Sequence, residues 1–390
     1  MDESSSEEEE RGSSPSGSSS TWGPCKESVQ KHRFSGDSGL GVQLNITVPV
    51  SVYKHFLNDD VLKLIVDETN RYANQLRSSV TLSRKSRMQK WRDTCKSEIQ
   101  KFIAILIAMG IVHFQKMRLY WSQKSLYRND MIRGIMNRDR FELLLKCFHF
   151  SNNADQTTKA DRLTKVKPLI DLICGKFQTT ITPGESFVID ESMVPWKGRL
   201  FFHQYLPGKS HKYGIVYAGK TETTKGKRVG HGHEVVLQLT TGLLNEGRTL
   251  YIDNFYTSVG LAEELLENKT CVCGMLRSNR RGNPREVCAK KLKKGEILAR
   301  ENRNSVRVMK WQDKRPMLMI SSNPELAENV VPSTSKNKKG EIVMKPKSVL
   351  AYNKAKKGVD VSDQMSSYYT CIRRTLKWYK KLAIELLLGS

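Results

Sequence analysis

The sequence has 390 residues and a formal net charge of +25, because 65 Lys and Arg residues outnumber 40 Asp and Glu residues. This length exceeds what one hydrophobic core usually serves, so we expect two or three structural units. Six acidic residues lie within the first ten positions, which leaves the rest of the chain more basic still. A positive field of this size favours a polyanionic partner, most often nucleic acid.

The composition argues against a membrane-spanning protein, a secreted protein and a zinc knuckle. The most apolar run, "FIAILIAMGIVHF" at 102–114, is shorter than the roughly 20 residues that span a bilayer, and it predicts a buried core helix. The chain begins with acidic residues, whereas a secretory signal begins with basic and then apolar ones. The eight cysteines are scattered, and the closest pair, Cys271 and Cys273, lacks zinc-knuckle spacing. We therefore expect reduced core cysteines, no membrane partner, and a nuclear or cytosolic protein.

The first part of the chain predicts a tail followed by helices. Residues 1–45 are rich in Ser, Gly and Glu and poor in branched apolar residues, which predicts a disordered acidic tail. Apolar residues at helical spacing then indicate a helical domain over 46–182, continued by 368–390. Asn137 and Pro168 mark the starts of two of its helices. Its basic stretches "LSRKSRMQKWR" and "IRGIMNRDR" would place positive charge on exposed faces.

The central part of the chain predicts a mixed α/β core over 183–280, to which 346–367 adds helix. Its signal is a series of short β-type runs, with one amphipathic helix, "SVGLAEELLENK", between the last two. Residues 281–345 predict an inserted β-rich subdomain that contains "SVRVMKW" and "PMLMIS". The predicted strands of the sheet are "SFVID", "KYGIVYAG", "HEVVLQL", "TLYID" and "CVCGML".

Aspartates follow two of these predicted strands and recur in a later segment. Asp190 closes "FVID", Asp253 closes "LYID", and Asp360 lies in "KKGVDVSDQ" with Asp363 one turn further on. Ligand sites of α/β sheets concentrate at such strand ends, and carboxylates suit a hard cation such as Mg²⁺. Two such ions about 4 Å apart can promote phosphodiester chemistry, with Asp253 bridging them. The alternative is that these residues only stabilise turns by bonding the nearby backbone.

Several longer blocks resemble those of piggyBac-type transposases, in the same order and over roughly residues 52–388. Upstream segments such as "VDETNRYA" and "RDRFELLLKCFHFSNN" resemble the helical DNA-binding and dimerisation region of that family. The downstream blocks are "FVIDESMVPWKGR", "LYIDNFYTSVGLAEELL" followed by "GMLRSNRR", the strands around "WQDKRPMLMIS", and "KPKSVLAYNKAKKGVDVSDQM".

This resemblance implies a ribonuclease H-like core with a metal site of three aspartates. By their positions in the blocks these are Asp190, Asp253 and Asp360, with Asp363 at a further acidic position of the metal site. It implies Mg²⁺ as cofactor, for which Mn²⁺ could substitute, and double-stranded DNA as partner. The implied reaction is cut-and-paste transposition into TTAA sites by a nuclear homodimer. Many members also carry a C-terminal Cys/His-rich zinc module, and we expect this chain to stop short of it, because it contains no CxxC.

Basic residues near these blocks are candidates for DNA contacts. The segment after Asp190 mixes cations with aromatic residues, as expected where phosphates and unpaired bases are held. Arginines in "RSNRR" can bind phosphates in a bidentate manner, and "CIRRTLKWYKK" either lines the DNA path or forms a solvated helix face. The candidates are Lys197, Arg199, Lys209, Lys212, Arg277, Arg280, Arg373, Arg374 and Lys377.

The sequence also fits two other functions, and it contains one histidine-rich segment. The chain could be a domesticated, transposase-derived DNA-binding protein without catalysis, or a nuclease of the same core fold that acts on other substrates. His231 and His233 could in principle form a metal cluster with Glu234. We instead expect them to lie on one face of a strand without a metal.

Overall fold

The computed structural model describes residues 22–26, 31–79, 81–154, 163–190, 194, 204–205, 213–214, 230–326, 329–336, 339–368, 371 and 377–389. The chain divides into two compact units. The first unit contains Met1–Phe34 and Gly232–Tyr352, and the second contains Ser35–His231 and Asn353–Ser390. In the described part of the chain, we find no helix with the length and apolar character needed to cross a membrane.

Helices predominate up to Thr180, and helices and strands are mixed after it. The helices are α1 (Pro49–Phe56), α2 (Asp59–Ser79), α3 (Lys96–Ile111), α4 (Asp130–Ile135), α5 (Arg138–Cys147), α6 (Lys167–Thr180), α7 (His231–Thr240), α8 (Val259–Glu267), α9 (Arg285–Ala289), α10 (Lys347–Tyr368) and α11 (Trp378–Gly389). The strands are β1 (Gly39–Leu40), β2 (Ile181–Thr182), β3 (Ser186–Ile189), β4 (Gln204–Tyr205), β5 (Tyr213–Gly214), β6 (Thr249–Ile252), β7 (Cys271–Met275), β8 (Ile297–Glu301), β9 (Arg307–Gln312), β10 (Pro316–Ser321), β11 (Val330–Lys336) and β12 (Ile342–Pro346).

The second unit has a helical core to which the apolar helix α3 contributes. The prediction of a buried core helix at 102–114 is confirmed up to Ile111, where α3 ends, because Phe102, Ile103 and Ile105 are almost fully buried. The predicted cap is also confirmed, since the Asn137 side chain accepts a hydrogen bond from Arg140 N at the start of α5. Pro168 lies in the first turn of α6, where its missing N–H costs nothing.

Polar side chains join α11 to the earlier helices of the second unit. Tyr379 OH lies 3.1 Å from Nδ1 of His149, and the His149 ring stacks on Tyr72 with centroids 4.2 Å apart. Burial lowers the pKa of His149 to about 4. Lys380 donates hydrogen bonds to the backbone carbonyls of Leu145 and Lys146 at the end of α5, and burial lowers its pKa to about 8. Helix α11 is thus tied to the earlier helices of the second unit.

The first unit contains a mixed sheet in which five strands run side by side in the order β6, β7, β10, β9 and β8. β6 and β7 are parallel and are connected through α8, whereas the other pairs are antiparallel. Ser258 caps α8 by accepting a hydrogen bond from Leu261 N, and Leu261 and Leu265 are fully buried. The strand–helix–strand unit predicted from "TLYID", "SVGLAEELLENK" and "CVCGML" is thus confirmed.

Two boundaries differ from those expected from the sequence. Residues 22–26 and 31–34, which we assigned to a disordered tail, belong to the first unit: Gly23 forms a β-bridge with Glu301, and Lys31 pairs with Glu325 at 3.1 Å. The predicted insertion at 281–345 does not form a separate sheet, because β10 pairs directly with β7 and draws β8 and β9 into the same sheet. Only β11 and β12 form a separate two-stranded sheet in the described part of this segment.

The segment 233–239 was predicted as a strand, and this prediction is wrong. It lies in helix α7, whose residues Val236 and Thr240 are buried at a spacing of four residues. The apolar residues of this segment suit either period, and burial of the helical stripe decides between them. The side chain of His233 faces α8, where its Nε2 lies 2.7 Å from Oε2 of Glu264. Of the segment predicted as a strand at 212–219, the structure describes only β5.

Candidate active site

Asp253 begins a tight turn at the C-terminal end of β6. All four residues of β6 are buried, and Asp253, the next residue, is half-buried. Its backbone carbonyl accepts hydrogen bonds from the N–H groups of Tyr256 and Thr257, at 3.1 and 3.3 Å. The chain therefore leaves the sheet in one helical turn, with the Asp253 carboxylate at the strand end as the sequence predicted.

This turn is packed directly onto β7. Thr257 Oγ1 donates a hydrogen bond to the carbonyl of Met275 at 2.5 Å. Gly274 lies opposite Ile252 in the parallel pair, and a Cβ at Gly274 would lie 2.2 Å from the Ile252 carbonyl oxygen and 2.9 Å from Cγ2 of Thr257. A side chain at position 274 would therefore push β6 and the turn away from β7.

Two arginines after β7 contact the same turn in different ways. Arg280 Nη2 donates to the carbonyls of Asn254 and Phe255, at 3.2 and 2.5 Å. Arg277 is exposed, its Nε donates to the Asn254 side chain at 3.1 Å, and its guanidinium lies 6.0 Å from the centre of the Phe255 ring. Burial, and then the charge of Arg277, lowers the pKa of Arg280. Both arginines that the sequence proposed for DNA therefore lie beside Asp253.

The Asp253 carboxylate has a hydroxyl partner on α10. Tyr352 OH donates a hydrogen bond to Oδ1 of Asp253 at 3.3 Å, and the Tyr352 side chain is buried. A hydrogen bond to the carboxylate helps to fix its orientation. Tyr352 was not among the residues chosen from the sequence, although it precedes Asp360 by eight residues in the same block.

Asp190 follows β3 in the second unit and has a very different environment. Its side chain is only 3% exposed, and the ammonium of Lys356 lies 3.2 Å from its Oδ2. A buried carboxylate needs a nearby positive charge to offset the loss of water. Lys356 supplies that charge from α10, and it was also missed in the sequence.

Asp360 and Asp363 lie further along α10. Spacings of four and three residues place Lys356, Asp360 and Asp363 on one side of this helix. Asp360 is exposed and Asp363 is half-buried. Helix α10 therefore presents the two carboxylates that the sequence proposed as metal ligands on the same side as the partner of Asp190.

The four carboxylates suit a hard divalent cation by their chemistry, because all their donor atoms are oxygens. Asp253 belongs to the first unit, whereas Asp190, Asp360 and Asp363 belong to the second. Within the part of the chain that is described, no group of three or more His, Cys, Asp or Glu side chains lies close enough to hold a metal ion. At Asp190 the position of a cation is taken by the Lys356 ammonium.

The remaining predicted DNA contacts fall into two groups. Lys377 is exposed at the start of α11, as a phosphate contact requires. Its neighbour Lys380 in the same basic stretch is instead buried on two carbonyls. Lys197, Arg199, Lys209, Lys212, Arg373 and Arg374 lie outside the described residues.

The two basic stretches of the helical region line one pocket in the second unit. It has a volume of about 760 Å³, and its walls include Trp121 and Leu143 as well as the cations. Arg140 is buried there against Glu98, with Nε 2.7 Å from Oε1. The sequence predicted that these stretches place positive charge on exposed faces. In the structure the two stretches converge on this one pocket. The pocket cations are Arg87, Lys90, Arg92, Arg118, Arg133, Arg138 and Arg140.

Comparison with known proteins identifies the family. The model of the family described as Transposase IS4 matches residues 48–388. PiggyBac transposable element-derived protein 3 of Homo sapiens is 29% identical over 359 residues, which cover 85% of this chain and 58% of that protein. This chain belongs to the piggyBac-type transposase family.

Further relatives of this piggyBac-type chain agree with that assignment. PiggyBac transposable element-derived protein 2 of Homo sapiens is 25% identical over the same length. The cryo-EM structure of a piggyBac transposase synaptic complex with hairpin DNA matches with a TM-score of 0.69 at 27% identity, over 88% of this chain and 74% of that chain. The piggyBac-type chain spans less than two thirds of the length of these human relatives.

Proposed function

We propose that this protein is a cut-and-paste DNA transposase. It hydrolyses phosphodiesters at transposon ends and then joins these ends to target DNA at TTAA sites. The observation that carries the proposal is Asp253, a carboxylate on a turn that β7 and its following loop hold at the end of β6. Such a rigid position is what a reacting phosphodiester requires of a catalytic group. Membership of the piggyBac-type family supports the same reaction.

In this proposal Asp190, Asp253 and Asp360, with Asp363, hold Mg²⁺ in a ribonuclease H-like core, and Mn²⁺ can replace it. When bound, the metal would supply Lewis acidity and lower the pKa of a coordinated water. The first step is hydrolysis: water adds to phosphorus, the 3′ oxygen leaves with a proton, and a 5′-phosphate and a 3′-hydroxyl result. That 3′-hydroxyl then attacks phosphorus on the opposite strand and displaces its 3′ oxygen, which closes a hairpin. Water later opens the hairpin in the same way, and the regenerated 3′-hydroxyl attacks a target phosphorus and displaces a 3′ oxygen of the target strand.

We also propose that the basic residues bind the DNA backbone and that the protein works in the nucleus as a homodimer. The basic pocket of the second unit supports a DNA-binding role for the helical region, because clustered Lys and Arg side chains displace counterions from DNA. A matched structure is a transposase complex with hairpin DNA. The further contacts proposed are Lys197, Arg199, Lys209, Lys212, Arg277, Arg373, Arg374 and Lys377.

The second candidate is a DNA-binding protein that derives from a transposase and has no catalytic activity. The names of the human relatives, which are described as transposable element-derived, favour this interpretation. The ion pair between Lys356 and Asp190 would then be purely structural. This second candidate would be supported if DNA binding is identical with and without Mg²⁺ and if no cleavage occurs in Mg²⁺ or Mn²⁺.

The deciding experiment is metal-dependent nicking of supercoiled plasmid DNA, which needs no knowledge of the transposon ends. We expect nicking by the wild type in Mn²⁺ and Mg²⁺, and a loss of about 100-fold or more in Asp253→Asn. Asp313→Asn is the matched control, since it removes the same charge beyond β9 in the same unit. If Asp253→Asn nicks as fast as Asp313→Asn, Asp253 has no catalytic role.

A further inference from the structure

We propose that Arg280 is a positioning residue that fixes the turn carrying Asp253, and that its guanidinium is not used to bind DNA. The inference rests on the proposed function of Asp253. Its geometric basis lies wholly within the first unit, in the loop that follows β7. Arg277, three residues earlier, keeps the DNA-binding role.

Arg280 satisfies the two carbonyls that come directly after Asp253. Its Nη2 reaches the carbonyl of Asn254 at 3.2 Å and that of Phe255 at 2.5 Å. The carbonyl of Asp253 itself accepts the N–H groups of Tyr256 and Thr257. The three consecutive carbonyls of the turn therefore all have donors, and one side chain supplies two of these hydrogen bonds.

The loop that carries Arg280 is itself well anchored. Arg280 N donates to the carbonyl of Arg277 at 3.2 Å, and the side chain of Asn283 donates to the same carbonyl at 2.8 Å. Gly282 follows with φ +85°, and a Cβ there would lie 3.5 Å from Val259 at the start of α8. The guanidinium therefore holds the turn from a fixed support, as a positioning group must.

Arg277 contrasts with Arg280 in exposure and in the kind of partner. It is exposed, and it contacts the side chain of Asn254 and the ring of Phe255 rather than the backbone. Such contacts can be exchanged for a phosphate without loosening the turn. Arg280 is half-buried, and moving it to a phosphate would leave two carbonyls of the turn without these donors.

The test compares Arg280→Ala, Arg280→Lys and Arg277→Ala in the full chain, with Arg281→Ala as the matched control from the same loop. Amide hydrogen exchange at Tyr256 and Thr257 reports the turn without any metal. We expect exchange about tenfold faster in Arg280→Ala, an intermediate rate in Arg280→Lys, and wild-type rates in Arg277→Ala and Arg281→Ala. Wild-type exchange in folded Arg280→Ala would overturn the inference, and Arg280→Lys gives the same decision if the alanine variant does not fold.

Two binding measurements separate positioning from DNA contact. For a duplex DNA titrated over a salt series, Arg280→Ala should bind within twofold of wild type with an unchanged salt slope, whereas Arg277→Ala should lower the slope by about one. For Mn²⁺ measured by calorimetry, Arg280→Ala should bind about tenfold more weakly and Arg281→Ala as wild type. A lowered salt slope with unchanged Mn²⁺ affinity in Arg280→Ala would assign Arg280 to DNA instead. If the wild type does not bind Mn²⁺ but the exchange rates are as expected, the result would count against the proposed function. Arg280 would still be a positioning residue for the turn.

Discussion

The two units of this protein hold their candidate site residues by different means. In the first unit, close backbone packing and hydrogen bonds to backbone carbonyls fix the turn of Asp253. In the second unit, buried polar and charged side chains make the decisive contacts, as between Lys356 and Asp190 and between Tyr379 and His149. We therefore expect the stability of the first unit to depend most on the room around its backbone. The stability of the second unit should depend most on charge and pH.

The largest effect is expected from Gly274→Ala in the first unit. The added Cβ would lie 2.2 Å from the carbonyl oxygen of Ile252, so β6 and β7 must move apart. We expect the free energy of unfolding to fall by about 3 kcal/mol or more, measured by urea denaturation. Gly260→Ala in α8 is the control, because nothing lies within 4 Å of the position its new methyl group would take, and stability should stay level or rise slightly. Equal stability of the two variants would contradict a close approach at Gly274.

The next effect is a loss of stability in acid that depends on His149 in the second unit. Burial lowers the pKa of His149 from 6.5 to about 4, so the unfolded chain binds more protons between these values. The contribution of neutral His149 to the free energy of unfolding is therefore complete above pH 6.5. It is lost as the pH falls towards 4, and the loss is about 3 kcal/mol at most. We expect His149→Gln to flatten the fall of unfolding free energy in that window. A wild-type slope in His149→Gln would rule His149 out.

A smaller effect is expected when the cation of Asp190 is removed. Lys356→Met leaves a carboxylate that is 3% exposed without its ammonium, while the lysine itself is 25% exposed. The partial exposure reduces the expected loss of unfolding free energy to about 2 kcal/mol. The double variant with Asp190→Asn should recover most of it, and Lys357→Met, an exposed neighbour, should change little. A loss no larger than that of Lys357→Met would show that the ion pair contributes nothing.

The smallest effects should be equal in the two units, because helix caps act locally. Ser258 caps α8 in the first unit and Asn137 caps α5 in the second, each through a side-chain oxygen that accepts a backbone N–H. Replacement of either by Ala should cost about 1 kcal/mol in thermal or urea unfolding. Ser278→Ala, in an exposed loop, serves as the control. A cost that differs strongly between the two caps would mean that they also take part in packing.

Local signals in the sequence predicted much of the first unit. β6, α8 and β7 were found because short β-type runs flank an amphipathic helix, and burial in the structure follows that pattern. The error at α7 has the opposite cause: its apolar residues suit either period, and packing selects the helix. The boundary at residue 281 failed because pairing of β10 with β7 is a long-range contact that no local pattern encodes.

Of the candidate site, the sequence predicted acidic residues and not their partners. Asp190 and Asp253 were recognisable because each follows a strand, and both lie where expected. Tyr352 and Lys356 were missed, although they precede Asp360 at spacings of eight and four residues in one helix. That spacing was the available signal, since it places side chains on one face. The contacts of Arg280 with two carbonyls leave no trace in the sequence, because backbone acceptors are present at every residue.

The contacts of α11 also bear on the order in which the protein folds. Tyr379 and His149 are 230 residues apart, and Lys380 is bonded to carbonyls at a similar separation. During synthesis the helices up to α6 leave the ribosome long before α11 exists, with the whole stretch 232–352 of the first unit made in between. Closing so long a loop is entropically slow. The first unit can therefore form its sheet before α11 is available to pack on the helices of the second unit.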